Sequence, residues 1–433
     1  MKSDIANTAQ AQSVLTARIL EAAQNGTALR IRGGGSKDFY AESLVGDVLD
    51  TSALNGIVSY EPSELVVTAL AGTPLAELEA LLAAQGQCLP FEPPHFSATS
   101  TPSRLGDGTF YSGTAVGNAA TPPFPSGGSH NSGTAVGSAA TPPSPSGGSH
   151  NSGTAVGSAA TVGGMVAAGL SGPARASVGA VRDFVLGVKL INGKAEHLTF
   201  GGQVMKNVAG YDVSRLMVGA MGTLGLLTEV SLKVLPIAPL EATLKFEMAQ
   251  SQALEKLNSW GGLPLPLNAS CWVHDAGVGT LYVRLRGAVA AVEAACKTLG
   301  GERIDNAAAA ADWQRARNQQ LQWFNERTAE QDLWRLSVPQ TTPELALPDS
   351  PLVEWHGGLR WVRAEPEHAA GLREAAAKHG GHATLFVAAR ARKMGATGRF
   401  DALKPPLDTI HRELKREFDP AGIFNRQRMS ADW

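Results

Sequence analysis

The segment at 201–234 constrains the fold most, because closely spaced glycines run directly into an apolar stretch. A residue without a Cβ lets the backbone bend sharply and approach a flat ligand closely. The alternating apolar residues at 226–234 predict a half-buried strand that anchors this bend. The segment therefore indicates a ligand-binding turn joined to a sheet. After the initial pair Gly201 and Gly202, glycine recurs at Gly210, Gly219, Gly222 and Gly225.

The spacing of these glycines excludes two common nucleotide-binding motifs. The pattern Gly-x-x-Gly-x-x-Gly at 219–225 differs from the Gly-x-Gly-x-x-Gly of a nicotinamide-binding turn. The sequence also lacks the Gly-x-x-x-x-Gly-Lys-Ser/Thr of a phosphate loop. A nucleotide bound by this chain is therefore held in another way.

A second glycine run, at 33–35, is a candidate phosphate site. It follows a predicted strand at 29–32, and Arg32 and Lys37 flank it with positive charge. Consecutive glycines at a bend expose backbone N–H groups that can bind a pyrophosphate. A glycine-rich hairpin turn would look the same in sequence, so these residues alone leave both interpretations open.

Length and charge narrow the class of protein. A chain of 433 residues exceeds what one core usually supports, which predicts two domains. The net charge is −2, so nothing in the balance points to a nucleic-acid or anionic-membrane partner. The polar segment at 1–12 does not resemble a secretory signal, and no apolar run reaches the ~18 residues of a membrane span. The sequence predicts a cytoplasmic protein without a direct membrane span.

The cysteines argue against a metal centre in this chain. Cys88, Cys271 and Cys296 lie far apart and form no Cys-x-x-Cys motif, so neither an iron–sulfur cluster nor a structural zinc is expected. We predict that all three are buried and act as small hydrophobic residues.

A low-complexity repeat occupies the region at 97–157. Residues 112–131 recur almost unchanged at 132–151, and a third copy begins at 152. The repeat consists mainly of Gly, Ser, Thr, Ala and Pro, which cannot bury enough surface to offset their ordering entropy. We predict a disordered surface insertion in which His130 and His150 bind no metal.

Local patterns predict the remaining elements. Thr73 is expected to cap a helix that begins at Pro74. A strand at 181–191 is expected to turn back through Asn192 and Gly193. Beyond Pro236 the pattern changes to mixed helices and strands, with a single helix expected at 312–327. The tryptophans of this second half, at 260, 272, 313, 323, 334, 355 and 361, are expected in the core.

Taken together, five ordered motifs resemble the vanillyl-alcohol-oxidase-type family of FAD-linked oxidases. They lie at 32–36, 161–164, 179–187, 219–225 and 418–425. The resemblance implies an α+β fold with a PCMH-type, two-subdomain FAD-binding domain at 1–236. It also implies an α+β cap or substrate domain at 237–433, whose C-terminal tail returns to the FAD domain. The repeat at 97–157 would then be an insertion that lengthens a surface loop at little cost.

Three sequences within this match look like the glycolate oxidase branch of that family. They are the sequences at 32–39, 91–96 and 201–212. This resemblance implies a FAD-dependent oxidoreductase that acts on the CH–OH group of a 2-hydroxy acid and converts glycolate to glyoxylate within a complex. Its implied partners are a D-type flavin subunit and an F-type iron–sulfur subunit, through which any membrane association would arise.

The resemblance also assigns residues to the cofactor. Since some family members attach flavin covalently through a His in the first glycine loop and this loop has Ser36 instead, we expect non-covalent FAD. The expected FAD-binding residues are Arg32, Gly33, Gly34, Gly35, Ser36, Lys37, Thr161, Gly163, Gly164, Val181, Gly222 and Thr223.

The sequence leaves the catalytic residues unassigned. Oxidation of a hydroxy acid needs a cation for the carboxylate and a base for the hydroxyl proton. An ion-paired or buried structural role stays open for each candidate, as do two alternative functions, a non-catalytic flavin-bearing assembly subunit and a stand-alone FAD-linked 2-hydroxyacid dehydrogenase. The candidates are Arg284, Arg335 and Arg360 for the carboxylate, and His274, His356 and His382 for the base.

Overall fold

The first half of the chain contains one long helix, several shorter ones and three groups of paired strands. The computed structural model describes residues 2–40, 42–96, 159–202, 211–390, 392 and 398–430. The helices are α1 (Lys2–Asn25), α2 (Leu75–Ala84), α3 (Val162–Ala168), α4 (Arg175–Val178), α5 (Val181–Phe184) and α6 (Val213–Leu216). The strands are β1 (Leu29–Arg32), β2 (Asp47–Asp50), β3 (Ile57–Glu61), β4 (Val66–Leu70), β5 (Gln87–Cys88), β6 (Val185–Ile191), β7 (His197–Gly201), β8 (Leu226–Lys233) and β9 (Leu235–Pro236).

The second half alternates longer strands with covering helices. The strands are β10 (Leu240–Glu247), β11 (Leu267–Asp275), β12 (Val278–Gly287), β13 (Glu302–Ile304), β14 (Asp332–Ser337), β15 (Leu352–Glu354), β16 (Leu359–Ala364) and β17 (His382–Val387). The helices are α7 (Gln250–Gly261), α8 (Val289–Leu299), α9 (Asn306–Arg317), α10 (Gln322–Asn325), α11 (Ala369–Lys378) and α12 (Leu407–Phe418).

A five-stranded antiparallel sheet forms the centre of the first half. Its order is β3-β4-β8-β6-β7, so β8 lies in the middle. Residues of α2 and α3 share a hydrophobic core with β4, β6 and β8. β8 is buried along nearly its whole length, so the expectation of a half-buried strand was wrong. Polar side chains of β8 are covered as well, and the Ser231 hydroxyl shares a hydrogen bond of 2.9 Å with Thr68. Beside this sheet, β1 and β2 pair in parallel.

An eight-stranded antiparallel sheet dominates the second half. Its order is β13-β10-β12-β11-β15-β16-β14-β17. One face packs against α7, α8 and α11. The opposite face, which we call the inner face, packs against residues of the first half, including Tyr40, Phe96 and Met221. The predicted burial of the second-half tryptophans is confirmed, with all seven at most 9% exposed. The α+β fold class is likewise confirmed.

The end of α12 leads into a tail that contacts β1. Phe424 forms a parallel bridge with Leu29. Asp419 is fully buried, and its carboxylate accepts hydrogen bonds from Lys415 and from the backbone N–H groups of Ile423 and Phe424. The Lys415 ammonium also donates to the Thr223 carbonyl, and this bond and the bridge to Leu29 hold the tail against the first half of the chain.

Several local predictions need correction. Thr73 does not cap α2, because its hydroxyl bonds to the backbone of Gly56 and Pro74 occupies the cap position. The helix expected at 312–327 is two helices, broken where Gln319 adopts a φ of +51°. The segment at 181–191 begins with α5 before the strand β6. Cys88 and Cys296 are partly exposed rather than buried.

Two predicted features lie outside the described residues. They are the repeat at 97–157 with its histidines, and the segment at 203–210 that contains Gly210. The described residues on both sides of the repeat belong to one compact unit, and the domain boundary at 236 stays a prediction. Among the helices that the structure describes, none combines the length and apolar character needed to cross a membrane.

Candidate functional site

The loop at 33–35 packs so tightly that side chains would not fit. A Cβ on Gly34 would lie 1.6 Å from the carbonyl oxygen of Ala159, and one on Gly33 would lie 2.4 Å from Thr161 Oγ1. Gly35 has a φ of +70°, a conformation that L-residues with a side chain avoid. Three glycines in a row are therefore needed to bring β1 against the start of α3.

Thr161 shapes the other wall of this loop. Its side-chain oxygen accepts a hydrogen bond of 3.2 Å from the Gly164 N–H and so caps α3. A Cβ on Gly163 would meet the Cβ of Ala71 at 2.8 Å, so α3 lies directly on the end of β4. The small residues of this wall leave room beside the backbone.

A turn at Gly222 closes the site, and the tail holds it in place. Gly222 has a φ of +71°. The Asn425 side chain donates to the Met221 carbonyl at 2.5 Å and accepts from the Ile31 N–H at 2.8 Å. One amide thus joins the turn to β1.

These three segments line one cleft, which we call the glycine cleft. It brings together ten of the twelve residues expected to bind FAD: Arg32, Gly33, Gly34, Gly35, Ser36, Lys37, Thr161, Gly163, Gly164 and Gly222. Val181 is fully buried in the core of the first half, and Thr223 is buried with its hydroxyl bonded to the Ala220 carbonyl, so neither lines the cleft. Sequence reasoning missed the side chains of Asn425 and Arg428, which also line it.

The glycine cleft carries positive charge. Lys37 is partly buried, and its ammonium lies 3.4 Å from Ser36 Oγ and 5.9 Å from the Phe96 ring centroid. Burial lowers the pKa of Lys37 to about 8 and that of Arg428 to about 10. Of the charged side chains at the cleft, Arg32 forms an ion pair with Asp38 at 3.1 Å. Exposed backbone N–H groups, small residues and spare cations fit the pyrophosphate of a dinucleotide.

The structure separates the three candidate arginines. Arg284 is buried and donates to both carboxylate oxygens of Glu92 at 2.7 Å. Arg360 is fully buried and donates to the Thr342 carbonyl. Arg335 lies on the inner face, with its guanidinium carbon 4.8 Å from the Trp355 ring centroid. Among these three, Arg335 is the one placed to meet a ligand.

The candidate histidines differ in the same way. The ring nitrogens of His356 lie 2.9 Å from Ser177 Oγ and 3.1 Å from Ser270 Oγ, and burial lowers its pKa to about 4. His274 is exposed and its ring packs beside Trp272 at 5.2 Å. Burial, together with Arg335 and Arg175, lowers the pKa of His382. His382 therefore belongs to the surroundings of Arg335.

Glu354 is a further candidate that the sequence did not reveal. It is 3% exposed, and its Oε2 accepts a hydrogen bond of 2.7 Å from the Trp361 indole. Its Oε1 has no partner among the described residues. Burial raises the pKa of Glu354 to about 7, against the opposing effects of Trp361 and Arg335. A carboxyl group with this pKa can accept a proton near neutral pH.

Glu354 and Arg335 line the same small gap. Its volume is about 10 Å³, and Pro94, Gly172 and Trp355 also line it. Residues two positions apart in sequence connect the gap to the glycine cleft: Ala168 lines the cleft and Leu170 lines the gap. Elsewhere on the inner face, a cavity of about 700 Å³ lies beside α9. One of the predicted catalytic candidates, His274, lines this cavity.

Comparison with known proteins identifies the family. The FAD binding domain family matches residues 7–102. The chain is 38% identical over 418 residues to glycolate oxidase subunit GlcE of Escherichia coli (strain K12), which covers 96% of this chain and 97% of that protein. It is 37% identical over 84 residues to glycolate oxidase subunit GlcD of Bacillus subtilis (strain 168), which covers 19% of this chain and 18% of that protein.

A solved structure supports the fold. An alkyldihydroxyacetonephosphate synthase aligns with a TM-score of 0.55 over 94% of this chain and 74% of its own, at 13% identity. The residues of the glycine cleft fit the FAD that the family match implies. The chain therefore contains an FAD-binding domain of the PCMH type, and it belongs to the glycolate oxidase subunit GlcE family.

Proposed function

We propose that this chain is the FAD-binding subunit of a glycolate oxidase complex, which oxidises glycolate to glyoxylate and passes the electrons to an iron–sulfur partner. The observation that carries this proposal is the glycine cleft, where ten of the expected residues, from three segments distant in sequence, converge with spare positive charge. Similarity to GlcE along nearly the whole chain supports the choice of complex.

The residues of the glycine cleft would hold FAD without a covalent bond. Backbone N–H groups of the loop at 33–35 and the Lys37 ammonium would bind the pyrophosphate, while Gly163 and Gly164 admit the dinucleotide beside α3. The residue beside the glycines is Ser36, and the loop has no histidine for attachment. When bound, FAD supplies the acceptor for two electrons and a hydrogen from the hydroxy acid.

Aromatic side chains would keep water from the reacting region. Phe39 packs against Phe96 and Phe386 with ring centroids 5.3 Å apart in both cases, and Tyr40 lies 5.0 Å from Phe386. This aromatic group joins the inner face to the first half of the chain. A dry environment strengthens charge interactions with a bound acid.

Partners follow from the cysteine content and from the relatives. The chain has three cysteines, fewer than the four thiolates of a typical iron–sulfur cluster. Electrons would therefore pass to an F-type iron–sulfur subunit, beside a D-type flavin subunit like the GlcD relative. Co-purification of the three subunits tests this part of the proposal.

A spectrum of the purified full-length chain tests the central claim. We expect flavin absorption that stays in the supernatant after acid precipitation and is bleached by anaerobic glycolate. Gly34→Ala should abolish the flavin absorption, because its Cβ would collide with the Ala159 carbonyl. Gly371→Ala is the matched control, since a Cβ there has open space within α11. A colourless wild-type protein would refute the proposal.

The alternative function is a flavin-bearing assembly subunit without turnover. The gap beside Glu354 favours it, because about 10 Å³ is too small for a hydroxy acid. In that case the flavin would be present but glycolate would not bleach it, even in the assembled complex.

A further inference from the structure

Two arginines converge on one tryptophan at the inner face. The guanidinium carbons of Arg175 and Arg335 lie 4.4 and 4.8 Å from the Trp355 ring centroid. Trp355 itself is 3% exposed, and its indole N–H donates to the Gly172 carbonyl at 3.0 Å. The ring is therefore a fixed support that brings both cations within reach of one small anion.

Neither arginine has an ion pair among the described residues. Arg335 contacts the Tyr40 hydroxyl. Arg175 interacts electrostatically with Asp183 at longer range, without forming an ion pair. Burial and the charge of Arg335 lower the pKa of Arg175, and both arginines lower that of His382. Cations that repel one another without a carboxylate between them are typical of an anion-binding site.

The residues outside the description offer few possible counter-charges. The acidic residues whose side chains the structure does not describe are Asp4, in the first turn of α1, Asp107 and Asp432. By contrast, two other arginines of the large sheet, Arg284 and Arg363, have carboxylate partners within the described structure. Arg284 pairs with Glu92, and Arg363 pairs with Asp349 at 2.9 Å.

A proton acceptor lies in the gap that Arg335 lines. Glu354 Oε1 and Gln319 Oε1 are both buried, both lack a partner among the described residues, and both residues line this gap. A gap of about 10 Å³ leaves room for about one water molecule. One water there could donate to both oxygens.

We propose that Arg175 and Arg335 bind the carboxylate of a small 2-hydroxy acid, and that Glu354 accepts its hydroxyl proton through one water. This inference rests on the proposed function and adds the substrate-binding residues to it. The substrate O–H bond breaks, the water takes that proton and gives one of its own to Glu354 Oε1, and a C=O bond forms. The carbon-bound hydrogen leaves with its electron pair to the flavin.

Calorimetric titration of glycolate into the purified full-length chain with its FAD tests the anion site. Arg335→Gln and Arg175→Gln should each weaken glycolate binding roughly ten- to hundred-fold, the usual effect of losing a hydrogen bond to a charged group. Arg182→Gln is the control, because it removes an exposed charge outside the site. Glycolamide, the neutral amide, should bind weakly and equally to all four proteins. Unchanged glycolate affinity in both variants would overturn the anion site.

Glu354→Gln separates proton transfer from binding. Glutamine can still accept from Trp361 but cannot take a proton, so flavin reduction by glycolate should slow by about 10²–10⁴-fold. In the wild type, glycolate should bind more weakly as pH rises through about 7, because ionised Glu354 repels the carboxylate. The variant should lose this pH dependence.

Four titratable or charged groups face Glu354 among the described residues. They are Arg335 on β14, Arg284 on β12, Glu92 and, across the β11–β15 pair, Cys271. A midpoint near pH 7 that persists in Glu354→Gln would overturn the role of Glu354. If glycolate binds through Arg335 but never bleaches the flavin, the proposed oxidase function fails while the anion site stands.

Discussion

Two groups of arginines on the inner face of the large sheet have opposite surroundings. Arg284 and Arg286 converge on Glu92, and Arg286 also pairs with Glu241. Arg175 and Arg335 converge on Trp355 instead, without an ion pair among the described residues. The first group is neutralised within the protein and joins its two halves. In our proposal, the charge of the second group is available to a ligand.

The difference teaches where stability and function are to be sought. Removing one partner of a buried ion pair leaves an uncompensated charge, which is strongly destabilising. Removing one of two repelling cations relieves repulsion and costs little stability. Mutations in the two groups should therefore separate folding from binding.

The largest effect is expected at Glu92. Glu92→Gln leaves buried Arg284 without its carboxylate, which should lower the free energy of unfolding by about 3–5 kcal/mol. Urea denaturation followed by circular dichroism measures this change. Glu293→Gln breaks an exposed pair with Arg303 and should cost less than about 1 kcal/mol. Equal losses in the two variants would contradict the comparison.

The same carboxylate should make stability depend on pH. Burial alone would raise the pKa of Glu92, but Arg284 and Arg286 outweigh it and lower the pKa below the ordinary 4.5. The contribution of Glu92 is therefore fully present above pH 4.5 and is lost as the pH falls through the lower folded-state pKa. Wild-type stability should fall more steeply than that of Glu92→Gln over this acid range.

A smaller effect is expected where the tail meets the glycine cleft. Asn425→Ala leaves the Ile31 N–H and the Met221 carbonyl without their partner, which should cost about 1–3 kcal/mol of stability. FAD should also dissociate faster, because the Gly222 turn is no longer tied to β1. Thermal unfolding and flavin release measure the two effects. Asn258→Ala, at an exposed position of α7, is the control.

Lys37, in the glycine cleft, is another cation without an ion pair among the described residues, so the comparison extends to it. Lys37→Met should weaken FAD binding roughly tenfold by removing a charge beside the pyrophosphate. In the wild type, the pyrophosphate of bound FAD would raise the Lys37 pKa from about 8, so FAD affinity should be greatest below pH 8 and fall above it. Fluorescence titration of FAD against pH should show this fall in the wild type and not in the variant. Lys256→Met, which removes a lysine beside Trp260, should leave FAD binding unchanged.

The smallest effect on stability is expected at Arg175. Arg175 is exposed and is repelled by Arg335, so Arg175→Gln should change the free energy of unfolding by no more than about 0.5 kcal/mol. A loss approaching that of Glu92→Gln would show that Arg175 holds the fold together. The two groups of arginines would then no longer differ in kind.

Much of the glycine cleft could be predicted because its signals are local. Gly33, Gly34 and Gly222 mark backbone bends that side chains would prevent, and Thr161 caps the helix that begins next to it. Asn425 was missed because its two partners lie about 200 and 400 residues away in sequence. No local pattern encodes such a distance.

The catalytic candidates show the same limit. Arg284 and Arg335 look alike in sequence, and their difference depends on whether Glu92 or Trp355 packs beside them. Glu354 gave no signal, because its raised pKa comes from burial at the junction of the inner face with the first half. Thr73 misled the prediction of α2 since its hydroxyl had a tertiary partner in Gly56.

The contact between the tail and β1 has a consequence for biosynthesis. The glycine cleft needs Ile31 and Asn425 together, so a ribosome must add nearly 400 residues after β1 before the cleft can close. Pairing of such distant segments is slow, because the chain loses the entropy of closing a long loop before any stabilising contact forms. Until then the nascent chain exposes the glycine loop without its final support. We therefore expect flavin to be acquired late, after translation has passed residue 428.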